Sequence, residues 1–539
     1  MVAAGQDRGT GVAPRWLWGF WIVVAVAVGV VRYGIDMGDR GLVNVSTMVL
    51  LVLALLVSLT WFTWRSGYSA RTRYGVAIGF VVLLAAGAAL FRIEGVRGEM
   101  IPIVSFRFAS LPASPVELAA PVGAIDLVTT TPADFPGFLG LHRDLRVQGV
   151  RLATDWDARA PELLWSHAIG AGWSGFAVAN GYAATLEERG GRELVTLYDI
   201  DSGDMVWMHE VDEGFSHPLG GRGPRSTPTI DSGLVFAMGV HGKLMALDGA
   251  SGDLLWQHDL LVDYGISPQE EVQDVAYGRS TSPLVVGDLV IVSVGGSRRR
   301  RVSLAAYDKR TGELQWEGGE HNISMASPSL GTLGGSEQVL LVNEGWVSGH
   351  EIETGAVLWE FEWPGMTAGD SSVSQAVAIP PDRVFVSKGY GQGAALYQLD
   401  PRADGTFEAR KLWHQARTLR TKLTNVAIRD GYVYGLSEGI LECVELDSGR
   451  RAWKAGRYHH GQILLVGELL LVLTEDGEIV LVEATPERKN SVLGRFQAIN
   501  GHTWNNIALY GDILLVRNGQ QAAAYRLPLQ VSEASDPGN

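Results

Sequence analysis

One pattern recurs through this chain and leaves few folds open to it. It is an acid, two residues, Ser or Thr, Gly, three residues, then Trp. It reads Asp199, Ser202, Gly203, Trp207, then Asp248, Ser251, Gly252, Trp256. Further copies are Asp308, Thr311, Gly312, Trp316; Glu351, Thr354, Gly355, Trp359; and Glu445, Ser448, Gly449, Trp453. A stretched copy is Asp400, Gly405, Trp413, and a decayed one runs from Glu483 to Phe496. Trp165 stands upstream without the acid and Gly. From Trp165 to Trp453 the Trp-to-Trp steps are 42, 49, 60, 43, 54 and 40 residues. Self-similarity at this period predicts a propeller or a solenoid.

The strand signals select the propeller. β-rich runs such as 234–238, 289–294 and 384–387 precede the acids, and Gly-Asp or Asp-Gly steps at 287–288, 430–431, 476–477 and 511–512 mark hairpins. The motif itself reads as a tight turn. The acid or hydroxyl bonds backbone N–H groups, Gly supplies a positive φ, and the next strand delivers a Trp into the wedge between blades. Eight units begin near Trp173, Pro224, Arg279, Met325, Ser371, Thr421, Gly461 and Thr503. The last lacks its own outer strand, and the segment around Trp165 looks like that strand placed upstream. The prediction is an all-β, eight-bladed propeller over 161–527, about 46 residues per blade, closed by pairing the two chain ends.

A membrane anchor is expected ahead of it. Apolar runs at 16–31, 43–64 and 74–91 are long enough to span a bilayer, with help from flanking residues for the first and third. The first ends in Val-Val-Arg-Tyr, which is no signal-peptide cleavage site. Residues 1–97 carry a net charge of +5 and the remainder −20. Arg65, Arg71 and Arg73 between the second and third runs place that loop in the cytoplasm, with Arg8 and Arg15 on the same side. The body then lies outside the cytoplasm, as a multi-pass protein of the inner membrane. Residues 98–160 read as linker and docking arm, with Phe135–Asp144 resting on the propeller, and 528–539 as a disordered tail. A whole-chain charge of −15 argues against nucleic acid as a partner.

The Asp-x-x-Thr-Gly-x-x-x-Trp turns resemble the tryptophan-docking motif of the quinoprotein alcohol dehydrogenase-like superfamily. More closely, the stretches 135–140, 172–178, 457–462 and 481–486 resemble bacterial membrane-anchored PQQ-binding-like β-propeller repeat proteins. The superfamily implies two kinds of activity. One is calcium- and pyrroloquinoline quinone-dependent dehydrogenation. The other is scaffolding without catalysis, as in an outer-membrane assembly lipoprotein. The alcohol-oxidising type carries a vicinal Cys pair, and this chain has Cys443 alone. No motif supplies an Asp base beside Glu/Asn calcium ligands. The resemblance therefore implies an extracytoplasmic binding or scaffold module with envelope protein partners, the alternative being a quinoprotein dehydrogenase feeding electrons to the membrane.

Polar residues recur at the start of each unit's innermost strand and should ring one mouth of the central channel. Trp173, Arg225, Arg279, Lys422, His460 and Asn505 are the candidate binding residues, with Ser174, Ser226, Gln375 and Gln462 at equivalent places. Two readings stay open. Three cations there suit a small anion with several carboxylates, pyrroloquinoline quinone with calcium among them. Alternatively the ring satisfies strand ends. His459-His460, placed on a strand, would point to opposite faces, so no metal site is expected. Arg298–Arg301 and Glu187–Arg192 read as exposed hairpins, and Cys443 as a small packed hydrophobe.

Overall fold

The computed structural model describes residues 13–108, 118 and 124–530; the expected tail from 531, residues 109–117 and 119–123 of the linker, and Arg8 lie outside the described residues. Two compact units divide the chain, 1–111 and 112–539.

The first unit holds three helices long and apolar enough to cross a membrane: α1 (Arg15–Gly29), extended by a π-helical turn to Gly34, α2 (Arg40–Arg65) and α3 (Ala70–Leu90). Their side chains face outward almost throughout, as a lipid solvent requires. Asp39 caps α2 by accepting from Gly41 N and Leu42 N, and Ser69 caps α3 by accepting from Thr72 N. Inside α2 the hydroxyls of Thr47, Ser58 and Thr63 donate to carbonyls four residues back, at 2.7, 2.8 and 2.8 Å. No water is needed to satisfy them. Trp21 Nε1 donates to Ser58 Oγ at 3.0 Å and so ties α1 to α2. A hairpin of Phe91–Val96 with Pro102–Phe106 follows α3.

The second unit is an eight-bladed β-propeller, each blade an antiparallel meander of four strands; Arg146–Val147 adds a short parallel fifth strand on the inner strand Gln462–Val466. The inner strands are Ala177–Ala179, Thr229–Asp231, Leu284–Val286, Ser329–Leu333, Val377–Ile379, Ala427–Arg429, Gln462–Val466 and Ala508–Tyr510, taken as blades 1 to 8. Blade 8 is completed by Glu162–Ala168, which pairs antiparallel with Gln521–Arg526. Both ends of the propeller segment thus share one blade.

The repeated turn explains why the blades stack. Asp199 Oδ1 accepts from Asp201 N and Ser202 N, and Asp248 and Asp308 do the same for their own turns. The turn glycines have φ of 78° at Gly203, 77° at Gly252 and 75° at Gly312. They also touch the previous blade's indole. A Cβ on Gly203 would stand 2.6 Å from Trp165, and one on Gly252 2.7 Å from Trp207. Each ring then donates Nε1 into the next blade: Trp165 to Ile200 O, Trp207 to Gly249 O, Trp256 to Lys309 O and Trp316 to Ile352 O, at 2.6–3.1 Å. Trp413 and Trp453 follow, to Leu446 O and Thr485 O. Trp359 departs from the rule. The stretched turn of blade 5 leaves Gly405 with nothing near its Cβ position. Trp359 packs instead on Gly349 of its own blade and donates to Gln338 Oε1 at 2.7 Å.

Two short helices interrupt the all-β pattern between blades 2 and 3: α4 (Leu260–Asp263) and α5 (Pro268–Asp274). The second has a capping box, Ser267 with Glu270.

Candidate functional site

In an antiparallel meander the inner strand begins on the same face as the loop arriving from the previous blade. The eight inner-strand starts therefore surround one mouth of the channel. Here the polar groups bond from blade to blade. Gly175 N donates to Thr227 Oγ1, Thr227 N to Ser282 Oγ and Ser282 N to Ser327 Oγ, each at 2.9 Å. Gln375 Nε2 donates to Ser327 O and Pro328 O, while its backbone N donates to Asn425 Oδ1 at 2.8 Å. Gln462 Nε2 bridges Leu423 O and Trp504 O, both at 2.9 Å. Asn505 Nδ2 donates to Gly172 O and Ser174 O at 3.0 and 2.8 Å. Every junction, from blade 1 round to blade 8 and back, is crossed. This closed belt gives partners to most of the buried polar groups at the mouth, although Asn505 Oδ1 and Ser226 Oγ have none among the described residues, and each group left without a partner costs about 1–3 kcal/mol.

A second tier, missed in the sequence, stands at the ends of the second strands. Glu344 accepts from Thr367 N at 2.8 Å and Asn322 Nδ2 at 2.7 Å. Lys388 donates to Pro364 O at 2.8 Å and pairs with Asp370 at 3.1 Å; desolvation lowers its pKa. Glu475 accepts from Trp504 Nε1 at 2.9 Å and meets His502 Nε2 at 3.2 Å. Arg517 donates to Gly170 O at 2.9 Å and to Thr185 Oγ1 at 2.6 Å. Each charge pins an incoming loop to the rim. The signal was present: an apolar run closing on a charged residue, as in Leu469–Leu473 followed by Thr474-Glu475.

The candidate residues all lie at this mouth, in different circumstances. Trp173 leans on Trp504 and His502, at ring distances of 5.0 and 5.2 Å. Arg279 is 1% exposed and gripped by both oxygens of Glu271, at 2.8 and 2.9 Å, so its charge is spent inside the fold. Lys422 is buried with Nζ 4.9 Å from the Tyr390 ring centroid. Asn505 belongs to the belt. His460 is buried against Glu475, its backbone N 3.5 Å from Oε2. His459 and His460 sit in a loop rather than on a strand, with His459 at φ 53°, which corrects the alternation argument used for them. Arg225 is half-buried and donates to the carbonyls of Gly223 (2.7 Å), Gly220 (2.7 Å) and Gly221 (3.3 Å). Desolvation pushes its pKa down to about 9, so it remains a cation at neutral pH.

Two other expectations change. Glu187 and Glu188 are buried, not exposed: Glu187 accepts from Gly170 N and Tyr198 Oη, and Glu188 pairs with Arg222. The hairpin of Arg298–Arg301 is exposed at its tip but paired at its base, Arg301 with Asp274 at 3.0 Å and Arg300 with Glu317. Cys443 is fully buried.

Below the belt the channel is filled by the chain itself. Phe135 exchanges backbone bonds with Val178 of blade 1, and Pro136 O accepts from Ile230 N of blade 2. Arg143 donates to Pro283 O at 2.6 Å and Ser282 O at 3.0 Å in blade 3. Leu145 O and Val147 O accept from Leu465 N and Gly467 N of blade 7. Blades 3 and 7 are opposite in an eight-membered ring, so this arm crosses the axis. Phe135, Leu139 and Leu145 are buried, and desolvation lowers the Arg143 pKa to about 9.

A family model described as outer membrane protein assembly factor BamB matches residues 151–262 and 268–455. The chain belongs to this family of PQQ-repeat propellers. The outer membrane protein assembly factor BamB of Shewanella oneidensis is 22% identical over 356 residues, 62% of this chain and 81% of that one. The dehydrogenase subunit of the alcohol dehydrogenase (quinone) of Gluconobacter oxydans is 26% identical over 175 residues, 29% of this chain but a fifth (20%) of that protein. A europium-containing methanol dehydrogenase superposes with a TM-score of 0.56 at 12% identity, covering 74% of this chain and 98% of its own. A quinohemoprotein alcohol dehydrogenase from Pseudomonas putida gives 0.52 at 14% identity, over 79% and 84%. Those two likenesses show the fold alone.

The residues at the mouth of this BamB-like propeller do not fit pyrroloquinoline quinone with its calcium. The belt amides already donate to backbone carbonyls of the neighbouring blades, Arg279 is paired, and the lone Cys443 excludes a vicinal pair. Among the described residues, no three or more His, Cys, Asp or Glu side chains are grouped to hold a metal ion.

Proposed function

We propose that this protein is a membrane-tethered binding and scaffold module of the cell envelope, anchored in the inner membrane with its propeller outside the cytoplasm. The observation that carries the reading is the closed belt: polar groups that would serve a cofactor are used to hold blade to blade. The family match supports it, as does the arm that fills the channel below. Arg65, Arg71 and Arg73 between α2 and α3 support the orientation. The ligand-facing surface is then the rim of incoming loops rather than the channel, and the partners are envelope proteins.

Photo-crosslinking residues placed at Val262 in α4 and Met366 in the loop before blade 5, exposed at 74% and 65%, test this in cells. Discrete adducts with envelope proteins are expected from these sites and not from Leu163 on the outer strand of blade 8. In parallel, the full-length protein is titrated with pyrroloquinoline quinone and calcium. A calcium-dependent rise in melting temperature with dye reduction would replace the scaffold reading by the dehydrogenase one.

A further inference from the structure

Where blades 1, 2 and 3 meet at the mouth, three elements converge on one carbonyl. The loop after blade 1 folds into a miniature hairpin, Ser216–His217 with Gly221–Arg222. Gly220 in its turn accepts from Trp173 Nε1 and from Arg225 Nη2, both at 2.7 Å. The turn packs tightly against the Arg225 and Tyr277 side chains. A Cβ on Gly220 would stand 2.7 Å from Arg225 Nη2 and 3.2 Å from the Tyr277 ring. The Arg225 guanidinium lies 4.8 Å from the Phe215 ring centroid, and Tyr277 meets His217 edge-on at 4.9 Å. Trp173, Phe215, His217, Arg225 and Tyr277 are all half-buried, so each is packed on one side and open on another.

Arg225 differs from its neighbours in how its charge is met. Arg222 pairs with Glu188, Arg279 with Glu271 and Lys388 with Asp370. Arg225 bonds three backbone carbonyls, and no carboxylate among the described residues lies within ion-pair distance of it. Nη2 is taken by Gly220 O and Gly221 O and one Nη1 N–H by Gly223 O, so of the five N–H donors the Nε–H and the second Nη1 N–H remain. Either can donate to one carboxylate oxygen, and the guanidinium faces favour aromatic rings.

We propose that this cluster is a subsite for a monocarboxylate carried on a flat apolar group, an arylcarboxylate being the simplest case. The carboxylate sits on Arg225 and the ring packs against Trp173, Phe215 or Tyr277. A single guanidinium on a chain of net charge −15 balances one negative charge better than two, which sets the monoanion above phosphate. The inference goes beyond the scaffold reading and stands without it.

The test uses the full-length protein in detergent, with benzoate, benzamide and inorganic phosphate as probes, followed by calorimetry and ligand-observed NMR. Saturable benzoate binding is expected, at least tenfold tighter than benzamide. Arg225→Gln should bring benzoate to the benzamide level, Arg225→Lys should retain part of the difference, and Phe215→Leu should weaken both probes. Equal binding of benzoate and benzamide, no binding of benzoate, or displacement of benzoate by equimolar phosphate would each overturn the proposal. Should Arg225→Gln fail to fold, the benzoate–benzamide comparison on the unaltered protein still decides.

Discussion

Glu193 shows what burial does to a single charge in this fold. Its side chain is fully enclosed in blade 1, and both carboxylate oxygens accept from Val240 N, at 3.0 and 3.2 Å. Desolvation raises its pKa from 4.5 to about 8, with Asp212 and Glu188 adding to the rise. The folded value lies above the unfolded one, so between them the native state holds a proton that the unfolded chain releases. The stabilising effect is full below pH 4.5 and is lost as pH rises through about 8. Glu193→Gln keeps the acceptor and removes the titration. Thermal unfolding of the variant should match the parent near pH 5 and exceed it at pH 9; identical pH profiles would refute this. Nothing in the sequence around Glu193 signals its burial. Glu187-Glu188-Arg189 reads as a charged hairpin, because burial of a strand pair depends on the neighbouring blade and not on its own residues.

The turn-and-Trp element was legible because its logic is local. An acid, a hydroxyl and a Gly within five positions make the turn, and the Trp four residues later meets the next copy of that turn. Trp207→Ala empties the wedge between blades 1 and 2 and should cost about 3–5 kcal/mol, the usual range for a large buried aromatic. Urea denaturation measures it, and a loss below about 1 kcal/mol would mean the ring is not the wedge. The docking of Trp359 could not be read this way. Its partner Gln338 lies 21 residues upstream, and the long hairpin 393–415 carries the expected turn out of reach. The helix α5 was readable from Ser267, Pro268 and Glu270, a capping box with Pro at the first turn, but the strand periodicity on either side masked it.

At the scale of the whole molecule, closure decides stability. Six residue pairs join Gln521–Arg526 to Glu162–Ala168 across more than 350 positions, and the belt joins blade 8 to blade 1 through Asn505. A chain ending at Asn518 loses the third strand of blade 8 and with it the bond between the ends. Its unfolding should lose its single cooperative transition, and protease should cut near both blade 8 and residues 162–168; a melting temperature within a few degrees of the parent would contradict this. The sequence by itself determined the repeat, the eight blades, the shared last blade and the three apolar helices. All of these follow from periodicity and from apolar length, which a chain carries without reference to its fold. The tertiary structure alone decided that the mouth ring is a hydrogen-bonded belt, that Arg279 is paired with a carboxylate while Arg225 is held by backbone carbonyls, and that the arm crosses the axis from blade 3 to blade 7. Those facts depend on which groups from distant segments meet, and the free energy of a buried polar group is set by the partner it finds.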